Sequence, residues 1–115
     1  MALTPEKKVK NRVIAILKDR DAYYFYPVTS GFGASGVPDI IVCYFGWFIG
    51  IECKAGKNTL SALQRQNIAR INAARGITLV INEDNIHEVT KLLEALYRLQ
   101  RDATESAVQD SQRGV

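Results

Sequence analysis

At 115 residues, with 47% hydrophobic and 23% charged residues, the chain has the composition of one globular domain with a packed core, which excludes disordered, fibrous and two-lobed readings. No apolar run approaches the ~18 residues of a membrane span, and MALTPEKKVKNR lacks the apolar centre of a signal peptide, so an intracellular protein is expected, cytoplasmic, nucleoid-associated or viral within a host cell. The net charge of +3 conceals an asymmetry: residues 1 to 82 carry 11 Lys or Arg against 5 Asp or Glu, and the remainder 4 against 7, a distribution that suits a polyanion although many basic domains bind none.

Thr4-Pro5 reads as an N-cap with proline in the first helical turn, and Val9, Val13, Ile16 and Leu17 recur at helical spacing, which predicts a helix from about 5 to 20. The aromatic run YYFYPV after Asp21 predicts a strand ending near Pro27. A loop of small residues, SGFGASGVP, follows. PDIIVCYF and FIGIECKA then form two strand-like runs about Gly46-Trp47, where glycine at the first central position predicts a type II′ hairpin turn. Leu60, Ile68, Ile71 and Ala74 mark a second helix that Gly76 stops. ITLVI reads as a buried strand beside the hairpin, and Asn85-Ile86-His87-Glu88 as a capping box opening a last helix through Leu99. The domain is therefore expected to span 1 to 101, with 102 to 115 a flexible tail. Two cysteines, Cys43 and Cys53, cannot form a disulfide framework or a four-ligand zinc site, so both are expected to be buried thiols. The order α-β-β-β-α-β-α predicts an α/β sandwich with a mixed central sheet flanked by helices.

A turn on Gly46-Trp47 would set Asp39 opposite Lys54 and Ile41 opposite Glu52, all on one face of the sheet. Asp39, Glu52 and Lys54 then converge within runs that are otherwise apolar, where unpaired charge is costly. Two carboxylates suit Mg²⁺ or Mn²⁺, hard ions that prefer oxygen ligands, and an adjacent ammonium suits the charge of phosphodiester hydrolysis. On spacing alone, an Asp39/Lys54 ion pair with Glu52 solvated at a strand end stands as an equal alternative.

Gly36-Val37-Pro38-Asp39, then Glu52-Cys53-Lys54, then Leu60-Ser61-x-x-Gln64 resemble the PD-(D/E)XK nuclease superfamily, and within it the VRR-NUC branch, over roughly residues 5 to 82. The resemblance implies a restriction-endonuclease-like sandwich in which Asp39, Glu52 and the Cys53 carbonyl bind the metal and Lys54 assists catalysis. It also implies that Glu6 lies near the metal, where helix-dipole stabilisation is the competing reading, and that Gln64 serves the site, with Gln66 close enough to exchange under a small alignment shift. Stand-alone relatives of this kind imply a homodimer that cuts branched DNA such as four-way (Holliday) junctions. A sequence-specific restriction-type nuclease and a non-catalytic nucleic-acid-binding module are the alternatives.

Residues 31 to 36, GFGASG, match a dinucleotide fingerprint literally, but Val37-Pro38 leads into a strand rather than a helix, so that reading is rejected. Ser30 and Gly31 in this loop, and Lys57 after the hairpin, are instead candidate contacts to a DNA backbone. His87 has no partner at ligand spacing and is read as a surface residue. Tyr23 to Tyr26 suit a core or a subunit contact better than base stacking, and Trp47 suits a dimer contact or a DNA wedge. Lys7, Lys8, Lys10, Lys57, Arg65, Arg70 and Arg75 could track phosphates, although each singly reads as a solvated charge.

Overall fold

The computed structural model describes residues 3–28 and 36–112. Ser30 and Gly31 lie outside the described residues. The elements are α1 (Pro5–Asp19), β1 (Tyr23–Phe25), β2 (Ile40–Tyr44), β3 (Trp47–Cys53), α2 (Ala62–Ala73), β4 (Ile77–Ile81) and α3 (His87–Gln112), in the order the sequence implies. The strands form one sheet ordered β1-β2-β3-β4, antiparallel across the first three and parallel between β3 and β4. The parallel pair is joined by α2, as a crossover requires.

Helix α1 forms because its first turn is satisfied locally: Thr4 Oγ1 accepts from the Lys7 N–H at 3.2 Å, and Pro5 occupies a position whose N–H would have no partner. Its stripe of Val9, Val13 and Leu17 is buried against one face of the sheet. That face presents Ile40, Val42, Ile49, Ile51, Cys53 and Ile81, and α3 adds Val89, Leu93 and Leu96. The core is this layer.

The hairpin turns one residue earlier than its glycine suggests. Phe45 and Gly46 both adopt positive φ, 49° and 85°, as a two-residue type I′ turn requires, so Tyr44 pairs with Trp47 and Ile41 with Gly50. The expected II′ turn, and with it the Asp39/Lys54 and Ile41/Glu52 oppositions, is corrected by two residues of register. Because side chains alternate with period two, the shift leaves Asp39, Glu52 and Lys54 on the same face.

Three further expectations are corrected. Cys43 is exposed, lying on the face away from the core, whereas Cys53 is buried. The Asn85 side chain accepts from the Asn82 N–H and donates to the Val80 carbonyl, so it braces the β4 exit instead of closing a capping box. Helix α3 continues through Gln112, past the point where the irregular tail was expected, with residues 101 to 112 all exposed. Its Ala, Glu and Gln residues favour helix intrinsically, so the backbone order there needs no apolar period.

Candidate active site

The site lies at the end of the sheet where β2 begins and β3 ends. Asp39 immediately precedes β2, and its Oδ2 accepts from the Cys53 N–H at 2.7 Å. The carboxylate thereby takes the place of a backbone carbonyl at the end of the ladder. Pro38 is seated on Gly50 of β3, where an added Cβ would lie 2.9 Å from the proline ring. The absence of a side chain at 50 is what lets the chain approach closely enough to bring Asp39 to the tip of β3.

Glu52 is the one buried charged residue of the described core, at 4% exposure. Its Oε1 accepts from Gln64 Nε2 at 2.9 Å and lies 4.0 Å from Lys54 Nζ. Gln64 Oε1 in turn accepts from the Ser61 N–H at 2.8 Å, and Ser61 Oγ accepts from the Gln64 backbone N–H at 3.1 Å. This reciprocal capping box fixes the start of α2 and, through one amide, ties it to Glu52. Gln64, rather than the exposed Gln66, faces the site.

Electrostatics follow from this packing. Burial, followed by the charge of Asp39, pushes the Glu52 carboxyl up to about 8, with Lys54 opposing the rise. Burial and the same carboxylates push the Cys53 thiol up to about 12, so it is a neutral packing group and no nucleophile. A buried carboxylate whose proton affinity is raised by a second carboxylate beside it marks a place where a cation would replace the proton. Among the described residues no three His, Cys, Asp or Glu side chains gather closely enough to hold an ion unaided. The donor set that fits a hard divalent ion is therefore two carboxylates completed by backbone oxygen and water.

Glu6, in the first turn of α1, lines a cleft of about 160 Å³ with Lys7, Lys10, Asp39 and Cys53. The structure thus brings together Asp39, Glu52, Cys53, Lys54, Gln64 and Glu6. Lys57 stands apart from that cluster in the exposed turn after β3, where the neighbouring Gly56 N–H donates to Glu83. His87 is exposed at the start of α3. Sequence reading missed the double use of Ser61 and Gln64; the signal was the S-x-x-Q spacing itself, a capping box in plain form.

Neither a family model nor a curated protein matches the chain. A solved structure described as a VRR_NUC domain protein superimposes with a TM-score of 0.54, covering 85% of this chain and 89% of that one at 16% identity. The chain has the fold of a VRR_NUC domain. The α/β sandwich of this chain, a mixed four-stranded sheet flanked by helices, agrees with the fold that the G-x-P-D, E-x-K and L-S-x-x-Q segments imply. Among the described residues no helix is long and apolar enough to cross a membrane.

Proposed function

We propose that the chain is a divalent-metal-dependent endonuclease that hydrolyses DNA phosphodiester bonds. The observation that carries this reading is the junction of a buried Glu52, an Asp39 carboxylate and the Lys54 ammonium at an open end of the sheet. A purely structural ion pair has no use for a second buried carboxylate that stays partly protonated. Asp39, Glu52 and the Cys53 carbonyl would hold Mg²⁺ or Mn²⁺. When bound, such an ion makes the attacking water more acidic and offsets charge on the phosphoryl oxygens.

The chain's own residues do the rest. Gln64 holds Glu52 in one rotamer by donating to Oε1, which would set this carboxylate to help hold the ion. Lys54, its side chain only 14% exposed, keeps its charge close to the carboxylates and donates to a phosphate oxygen as negative charge grows there. Glu6 faces the same cleft from α1 and completes its acidic wall. Branched DNA, including four-way junctions, is the proposed substrate, cut by a homodimer whose two sites address two strands. The VRR_NUC likeness of the fold supports the nuclease class.

Incubation with labelled branched and linear duplexes tests this, with Mg²⁺ or EDTA, alongside Asp39→Ala and Lys54→Ala. The expected result is metal-dependent cleavage of the branched substrate, lost in both variants. Unchanged cleavage by Asp39→Ala would sink the assignment, and cleavage of linear duplex at defined sequences would replace the substrate.

A further inference from the structure

Helix α1 places Glu6 and Lys10 four residues apart, the spacing and order in which a glutamate and a lysine ordinarily pair along a helix. They do not pair here: among the described residues no carboxylate lies within 4.0 Å of the Lys10 ammonium. Instead Lys10 Nζ sits over the ring of Tyr26, 4.6 Å from its centroid, while the residue lines the cleft that also holds Glu6, Asp39 and Cys53. Tyr26 is itself packed against Tyr24, whose ring centroid lies 5.9 Å away, so the platform under the ammonium is braced from β1. A cation held on an aromatic face, and kept off the nearest carboxylate, retains its charge for an incoming anion.

The cleft needs such a charge. Glu6 and Asp39 place two carboxylates in it beside the buried Glu52, and negative charge there repels a polyanion approaching this end of the sheet. Lys7 and Lys10 stand on the α1 rim of the same cleft. An ammonium there would meet a backbone phosphate displaced from the one at Asp39, because in the nuclease reading Lys54, just past the end of β3, serves the latter.

We infer that Lys10, steered by Tyr26, is a DNA-backbone phosphate site beside the acidic cluster, binding a phosphate neighbouring the scissile one. It is a binding residue, distinct in task from Lys54, and it rests on the nuclease reading only in taking DNA as the ligand.

The test is anisotropy of a labelled DNA duplex in Ca²⁺ across a NaCl titration, for the wild type, Lys10→Met, Lys10→Arg and Lys18→Met. The methionine keeps the stem over Tyr26 and removes the charge alone. Lys18 lies two turns further along α1 and is the charge-matched control. Loss of one phosphate contact lowers the slope of log affinity on log salt by about 0.9, which at 0.1 M salt is a loss of about eightfold. That loss is expected in Lys10→Met, with the slope restored in Lys10→Arg and near the wild-type value in Lys18→Met. An unchanged slope in Lys10→Met overturns the inference, as does an equal loss in Lys18→Met or a wild type that binds no DNA. A wild type that binds DNA in this assay but never cleaves it in Mg²⁺ defeats the nuclease reading and leaves the Lys10 result decisive by itself.

Discussion

The two faces of the sheet are covered very differently. The face toward α1 and α3 carries a continuous layer of Ile40, Val42, Ile49, Ile51 and Ile81, each at 1% exposure or less. The face toward α2 carries Cys43, Phe48, Gly50 and Glu52 in the central strands, and α2 itself buries no residue completely. One face stabilises the fold, and the thinly covered one leaves room for charge and for a substrate to approach. The site sits where this thin side meets the start of α1.

The largest stability effects are expected on the thick face. Ile51→Ala should cost about 2–5 kcal/mol in chemical denaturation, while Leu63→Ala on α2, half-exposed already, should cost less than about 1 kcal/mol. Equal losses from the two would break the contrast. Next comes Gly50→Ala, whose new methyl would meet the Pro38 ring at 2.9 Å and the Ile71 side chain at 3.3 Å. It should cost about 1–3 kcal/mol and, by moving Asp39, reduce cleavage more than that loss of stability explains.

Smaller in stability but specific to the site is Gln64→Ala. Freeing Glu52 from its amide partner should lower kcat by about tenfold or more while Gln66→Ala leaves kcat unchanged. Equal effects of the two glutamines would remove Gln64 from the site.

The pH dependence sharpens the comparison further. Glu52 holds its proton more tightly in the folded chain, its carboxyl raised from 4.5 to about 8, so the folded state binds the extra proton between those values. The metal-free protein should therefore lose thermal stability as pH rises through that window, and Glu52→Gln should flatten the loss. Mg²⁺ should do the same at the upper end by taking the proton's place. A Tm that rises with pH in the wild type, and does so equally in Glu52→Gln, would contradict the account.

Much of this was legible in the residues, for identifiable reasons. Helical spacing marked the three helices and aromatic or apolar runs the four strands, in order, since the buried stripes of α1 and α3 and the apolar runs of β2 and β3 are set by one dominant core layer. Asp39, Glu52 and Lys54 were found because charges stand out in such runs, and alternation kept them on one face even though the turn was misplaced. The turn itself was not legible, because it needed Phe45 in a positive-φ conformation that a bulky residue seldom adopts. Lys10 was only one of several basic residues that could track phosphates, and what sets it apart is the tertiary position of Tyr26, which no spacing reveals. The extended α3 was missed because helix propensity without burial leaves no hydrophobic period to read.

The central claim is that Asp39 and Glu52 together make a divalent-metal site. Calorimetric titration of the wild type, Asp39→Ala, Glu52→Gln and Gln66→Ala with Mn²⁺ measures it without reference to any substrate. The account predicts one site per chain in the wild type and in Gln66→Ala, weakened at least about tenfold in either carboxylate variant. Binding by Asp39→Ala and Glu52→Gln with wild-type affinity would contradict it.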